Sequence, residues 1–285
     1  MNAPTPELPS TTQGGAPFAE LIPHVERIHR ALAHLHFAEG VRQDGATRIT
    51  RYETATGFLV RLGGRDFVYT AKHNLEGETA SSVGVQIPRT LVVPCRIPQG
   101  AHKLLHAEGD IDAAVIELDP RMRGLWQSAQ PFEGQELGLI SEANSARTLC
   151  LAGFPVAAAK IDGAVPGMDL MGAFGAVMLL VRQAVGHRSD REPSEGRGIH
   201  VHYGGSAYNH GLKRWVQTSP PKGISGGPLA AIGNEGVRVL GLARSIDDNV
   251  EWCEPAIECT RLLMQHEDAK VAAEAGAIIR RAAEG

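Results

Sequence analysis

From about residue 49 onward the chain is written as short apolar runs separated by glycine and polar turns. This spacing limits its possible folds more than any other feature. Residues 56–62, 66–70, 83–87, 90–96 and 113–118 form a first series, and residues 137–140, 148–153, 178–185 and 237–245 a second. Runs of this length, bounded by turn residues, read as strands. Glycine (33) and proline (17) make up more than a sixth of the 285 residues, against ~12% in ordinary proteins. Many short strands with glycine punctuation point to a β barrel or sandwich. No internal repeat interrupts the pattern.

The two ends are different. Residues 1–17 are rich in Pro, Thr, Gly and Ser and read as a flexible tail. Residues 18–44 are expected to hold an N-terminal helix, because Leu21, Ile22, Val25, Ile28, Leu32 and Leu35 recur at helical spacing, with Pro23 as a candidate break. Residues 260–285 return to helical texture through Leu262, Leu263, Val271, Ile278 and Ile279. Between the helices, residues 45–130 and 131–259 divide into two β units.

Composition excludes several function classes. A net charge of −4 offers no basic excess to displace counterions from nucleic acid. With 43% apolar and 21% charged residues the chain can bury a core. The longest apolar stretch, residues 168–181, is interrupted by Asp169, Gly172 and Gly175 and is too short to span a membrane. No basic segment followed by an apolar one opens the chain, so the expected location is cytoplasmic. Four scattered cysteines are not a disulfide scaffold. Cys253 and Cys259 are close enough in sequence to pair, but free thiols in a reducing compartment are the preferred reading.

Three segments carry chemistry. Asp66-Phe-Val-Tyr-Thr-Ala-Lys-His73 ends a strand on a histidine. Gly109-Asp-Ile-Asp112-Ala-Ala-Val-Ile opens a strand with an acid. Gly223-Ile-Ser225-Gly-Gly-Pro-Leu sets a serine in a glycine-dense turn. Alone, each is ordinary. Together, a His, an Asp and a Ser in order, each beside a strand, are what acyl transfer needs. A serine hydroxyl is a poor nucleophile until a base takes its proton. Imidazole does this near neutral pH, and a carboxylate holds the ring in the right tautomer. The glycines let backbone amides aim at a developing oxyanion, with the Gly223 and Ser225 N–H groups as the natural donors.

These segments resemble those of the trypsin-like (chymotrypsin-fold) serine peptidases. The resemblance extends at low similarity over roughly residues 45–260. Thr56-Gly-Phe-Leu-Val is similar to the family's opening strand and Thr70-Ala-Lys-His73 to its histidine motif. Asp112-Ala-Ala-Val-Ile-Glu-Leu is similar to its aspartate motif, Gly223-Ile-Ser225-Gly-Gly-Pro-Leu to its serine motif, and Leu151-Ala-Gly-Phe-Pro to a strand of its second barrel. It implies an all-β fold of two six-stranded antiparallel barrels, flanked here by the N- and C-terminal helices. It also implies a serine endopeptidase with His73 as base, Asp112 orienting it and Ser225 as nucleophile. No cofactor or metal is required, and the substrate is a protein or peptide. Asp112 fits the motif's register directly, whereas Asp110 requires a two-residue shift.

The departures also matter. Lys72 stands where the family usually has Ala. Ile224 replaces the acid that pairs with a freed N-terminus in secreted zymogens, so the resemblance leans to stand-alone bacterial members. An intracellular peptidase needs control, which implies a regulatory protein partner. A second class of function therefore stays open: a protease-fold binding or sensing module with little turnover, or activity only after a partner-triggered rearrangement. By the resemblance, Ser219, Arg244 and Ser245 fall on the specificity pocket. Ser219 argues against a preference for Arg or Lys. Arg244 either admits an acidic side chain or points outward to pair with Asp247 or Asp248. The polar segment 186–213 carries His187, His200, His202 and His210. It reads as a long loop over the rim of the site, with zinc binding as the lesser alternative.

Overall fold

The computed structural model describes residues 20–43, 46–76, 83–87, 95–97, 102–154, 159–161, 172–174, 176–183, 198–209, 214–217, 223–247 and 250–284. The chain enters through helix α1 (Ile22–His29) and then builds a first sheet. That sheet consists of β1 (Leu32–Gln43), β2 (Ala46–Leu62), β3 (Arg65–Thr70), β4 (Val83–Ile87), β5 (Cys95–Ile97), β6 (His102–His106), β7 (Ala114–Leu118) and β8 (Phe132–Glu133). The remaining strands are β9 (Thr148–Gly153), β10 (Ala159–Ile161), β11 (Gly172–Phe174), β12 (Val177–Gln183), β13 (Ile199–Asn209), β14 (Arg214–Gln217), β15 (Pro228–Gly233), β16 (Gly236–Asp247) and β17 (Val250–Pro255). Helices α2 (Ile257–Leu262) and α3 (Ala269–Glu284) close the chain.

The architecture is the expected chymotrypsin-like double barrel. In the second unit, strands follow the order β12-β9-β15-β16-β17-β13, and β13 pairs back onto β12, so six strands close on themselves. The first unit is a curled half-barrel, ordered β5-β4-β1-β2-β3-β7-β6 among the described residues, with the short β8 running parallel to β2. β10 and β11 form a separate ribbon. No helix among the described residues is long and apolar enough to cross a membrane.

Many central strands are apolar on both faces, and the period-2 alternation of side chains divides those faces between separate cores. On β2, Leu59 faces the interior of the first unit, while Phe58, Val60 and Leu62 face the seam between the units. On β9, Leu149 and Leu151 fill the second barrel, while Cys150 and Ala152 face the seam. β15 divides likewise, with Leu229 and Ala231 inward and Ala230 and Ile232 on the seam. The seam core also takes Val25 and Ile28 of α1 and Val271, Ala275 and Ile278 of α3. Both terminal helices therefore pack within the chain, α1 against β16 of the second unit and α3 against β2 of the first.

Two expectations about secondary structure need correction. The helix anticipated over residues 18–44 ends at His29, and Leu32–Gln43 is strand β1. Leu32 and Leu35 fit a helical period, but Ala33, Leu35 and Phe37 also alternate, and the half-barrel interior buries that alternating face. Pro23 does not break α1. It lies in the first turn, where its missing N–H has no intrahelical partner to lose. The strand expected over residues 137–140 is reduced to a single bridge from Leu137 to Val239, followed by a 3-10 helix over Ile140–Asn144. Cys253 and Cys259 are free and do not pair. Cys253 lies inside the second barrel and Cys259 in the seam core, so the close sequence spacing does not bring the thiols together.

The β2–β3 turn anchors α3. Gly63 has φ +58°, its N–H donates to Glu274 Oε2 at 2.7 Å, and a Cβ there would stand 2.5 Å from the Val271 backbone nitrogen. Gly64 has φ +79° but open space around it. Gly64→Ala is therefore expected to cost only backbone strain, ~1 kcal/mol. Gly63→Ala should cost roughly 2–4 kcal/mol, because it also pushes α3 off the seam. Urea unfolding of the two variants measures the difference.

Candidate active site

Strand pairing brings the histidine and the aspartate together. β3 pairs with β7 in a register that sets Thr70 opposite Ala114. The chain continuing past Thr70 therefore runs beside the chain leading into Ala114, and His73 meets Asp112. His73 lies in a 3-10 turn, Lys72–Leu75, that begins directly after β3. Its ring Nδ1 is 2.6 Å from Asp112 Oδ2, and its backbone N–H donates to Oδ1 at 2.9 Å. Asp112 is buried, whereas Asp110 is exposed on the wall of an adjoining cleft. The aspartate bonded to the histidine is thus the one favoured by motif register.

The serine comes from the other unit. Ser225 Oγ lies 2.7 Å from His73 Nε2 and 3.3 Å from the Arg244 carbonyl oxygen. A neutral ring that donates Nδ1–H to Asp112 has its Nε2 lone pair free to accept the Ser225 proton. The serine turn is held on both sides. Gly226 N–H donates to Ala243 O at 2.7 Å, and Ala243 N–H donates to Gly227 O at 2.8 Å. Ile224 is fully buried in the core of the second barrel. Apolar packing anchors the turn at this position. Gly226 has φ +84°, and a Cβ there would collide with Thr56 O and Thr70 Oγ1. The turn can approach β2 this closely only with glycine at 226.

Thr56 and Asn74 of the first unit grip that turn and Thr70 braces both, contacts that the sequence alone does not announce. Thr56 N–H donates to Ser225 O at 3.1 Å, and Thr56 Oγ1 donates to Gly223 O at 2.9 Å. Thr56 Oγ1 also accepts from Phe154 N–H at 3.0 Å. Thr70 Oγ1 donates to Thr56 O at 2.8 Å, and Asn74 Nδ2 reaches both Thr70 Oγ1 and Ser225 O. With the carbonyls of Gly223 and Ser225 held this way, the peptide planes of the turn are fixed. Gly223 itself has φ +96°. Sequence signals existed in part, since Thr56 opens the first strand motif and Asn74 follows the histidine. Their partners lie far along the chain, and no local pattern announces them.

Arg244 behaves differently from either expectation for it. Its Nε is 3.3 Å from Asp112 Oδ2, and its Nη1 donates to Glu254 Oε2 at 3.5 Å. Its guanidinium is thus engaged by two carboxylates, one from each β unit, while the side chains of Asp247 and Asp248 lie outside the described residues. It occupies the bulge in β16 between Ala243 and Ser245, where the register against β17 shifts. Glu254 is buried and also accepts from Trp252 Nε1 at 3.3 Å. Burial raises the Glu254 carboxyl above its ordinary range, against the opposing Trp252 and Arg244 contacts. At Asp112 the balance goes the other way. Burial alone would raise the carboxyl, but the bonds and charge of His73, with the Arg244 cation, outweigh it and hold it low.

The other anticipated residues are placed as follows. Ser245 lies in β16 opposite Trp252. Ser219, His187 and His210 lie outside the described residues. The segment 186–213 is not a single loop, because Ile199–Asn209 is barrel strand β13. Its Val201 and Ala207 point into the second barrel, which explains why this polar sequence is drawn into a sheet. His200 is buried with its ring 4.6 Å from that of Trp252, and His202 is exposed. Among the described residues no group of three His, Cys, Asp or Glu side chains is arranged to hold a metal. Lys72 Nζ donates to Gly109 O at 3.0 Å, tying the histidine turn to the aspartate loop.

Thr56→Val keeps the side-chain shape but removes the hydroxyl, leaving Gly223 O and Phe154 N–H without that partner. The variant is expected to lose roughly 1–3 kcal/mol of stability. Thr56→Ser, which keeps the hydroxyl, should lose clearly less in the same urea titration.

No family model matches the chain, and no curated protein matches it. Among solved structures the chain is similar to one described as the crystal structure of Rv3671c protease in its inactive form. The TM-score is 0.46 at 18% sequence identity, covering 88% of this chain and 96% of that one.

Proposed function

We propose that the chain is a serine endopeptidase that cleaves protein or peptide substrates through an acyl-enzyme. One observation carries the reading: Ser225 Oγ, His73 and Asp112 form a continuous hydrogen-bonded line, 2.7 Å and then 2.6 Å. Ser225 Oγ attacks the scissile carbonyl carbon while its proton passes to His73 Nε2. Asp112 stabilises the resulting imidazolium and keeps Nδ1–H pointed at itself. The N–H groups of Gly223 and Ser225 receive the oxyanion of the tetrahedral intermediate. One such donor contributes ~2.7–4 kcal/mol of transition-state stabilisation. The intermediate collapses, the C–N bond breaks, and His73 returns the proton to the leaving amine. A water molecule then gives a proton to His73 and attacks the acyl carbon, which frees the carboxylic acid and restores Ser225.

The hydrogen-bonded geometry supports the enzymatic reading over a binding module, which would be favoured by a serine and histidine standing apart. Arg244 is occupied by Asp112 and Glu254, which argues against its use as an anchor for an acidic substrate side chain. A reducing, cytoplasmic setting is consistent with buried free thiols at Cys150, Cys253 and Cys259. Burial pushes the Cys150 thiol up to about 12, and the other two also rise, so all three stay protonated and unreactive.

A fluorophosphonate probe is expected to modify Ser225, and Ser225→Ala should abolish the modification. His73→Ala should slow it by about 10²–10⁴-fold, the usual contribution of a positioned general base. Mass spectrometry of the labelled peptide reads the site. Labelling confined to another residue, or none at any pH, rules this function out.

A further inference from the structure

Asp112 carries a third contact that the triad chemistry does not need. Its Oδ2, the oxygen that faces His73 Nδ1, is also 3.3 Å from Arg244 Nε. Arg244 in turn meets Glu254, which is 1% exposed and held from its other side by Trp252 Nε1. The guanidinium is only 24% exposed, so solvent screens it weakly. Four groups therefore stand in series: imidazole, carboxylate, guanidinium, carboxylate. They come from the histidine turn, the aspartate loop, β16 and β17. We infer that Arg244 and Glu254 are positioning residues that set the basicity of the proposed catalytic histidine through Asp112.

The physical argument is one of charge and geometry. A fixed cation on Oδ2 draws on the same negative charge that would stabilise a protonated ring. It therefore favours the neutral ring, which is the form able to accept a proton from Ser225. Glu254 moderates this by neutralising part of the cation. Arg244 adds a third contact to a carboxylate whose Oδ1 already accepts from the His73 backbone N–H and whose Oδ2 faces the His73 ring. The carbonyl oxygen of the same residue stands 3.3 Å from Ser225 Oγ, as an alternative acceptor for the hydroxyl that otherwise donates to His73 Nε2. One β bulge thus touches both ends of the triad. The other charged groups around the ring are Lys72 and Glu76 on its own turn and Asp110 across the cleft. Glu258 of α2 also faces Glu254, and among the described residues Arg244 is the cation in contact with Asp112.

The inference rests on the peptidase reading for its catalytic meaning, but its test does not require activity. NMR of the full-length protein with labelled histidine follows the titration of the His73 ring, assigned by comparison with His73→Gln. Arg244→Met should move the midpoint to higher pH by about one unit, equal to about tenfold in proton affinity. Glu254→Gln should move it to lower pH. Arg244→Lys, which keeps the charge, should stay closer to the parent than Arg244→Met. Opposite shifts from two substitutions in one cluster are not produced by general loosening of the fold. If Arg244→Met does not fold, the Glu254→Gln and Arg244→Lys midpoints decide the matter. Unmoved midpoints, or shifts in the same direction for Arg244→Met and Glu254→Gln, overturn the inference. Fluorophosphonate labelling of Ser225 in the parent is scored separately. Shifted midpoints without labelling overturn the peptidase reading and leave the coupling, and labelling with unmoved midpoints does the reverse.

Discussion

The Asp112 carboxylate is the point on which the candidate site depends. It is buried at the end of the seam between the two β units, where an unpaired charge is costly. Three groups meet that cost: the His73 backbone N–H, the His73 ring and the Arg244 guanidinium. Two of them belong to the residue that Asp112 orients, and the third belongs to the opposite barrel. Satisfying one buried charge therefore aligns the imidazole and draws β16 towards the first unit. Ser225 follows, because Arg244 O and the Gly226–Ala243 bond fix the serine turn against the same strand.

A seam of this kind requires strands that are apolar on both faces. β2, β9 and β15 each give alternate side chains to a barrel interior and to the shared core. The seam core is apolar, so polar groups beside it must find one another. Thr56 and Asn74 do so by gripping the backbone of the serine turn, and Thr70 braces both of them. The polar clamp and the apolar anchor of Ile224 act on opposite sides of a short turn. Together they fix the Gly223 and Ser225 carbonyls on the side of the first unit.

The site was more legible in the sequence than the framework around it. His73, Asp112 and Ser225 each sit at the edge of a strand with recognisable local texture, and the register of Asp112 ahead of β7 separates it from Asp110. The elements that depart from the expected pattern are those whose local signal serves two periods. Leu32 and Leu35 suit a helix, yet Ala33, Leu35 and Phe37 are buried as one face of β1. The histidine-rich stretch looked like a surface loop because polar residues fill its outer face. Its Val201 and Ala207 are nonetheless inside the second barrel.

Alternation of short apolar runs with turns determined, without reference to any structure, that the chain is mostly β, and the three motifs supplied the reactive side chains. Those properties are local, since strand propensity and functional-group chemistry are carried by neighbouring residues. What only the tertiary structure decided is which distant groups share an electric field. Arg244 lies more than a hundred residues from Asp112, and its sequence neighbours Asp247 and Asp248 looked like its natural partners. The bulge in β16 and the closure of two units around one seam turn it towards Asp112 and Glu254. An ion pair across a seam is set by how two sheets pack, and no pattern in either segment encodes it.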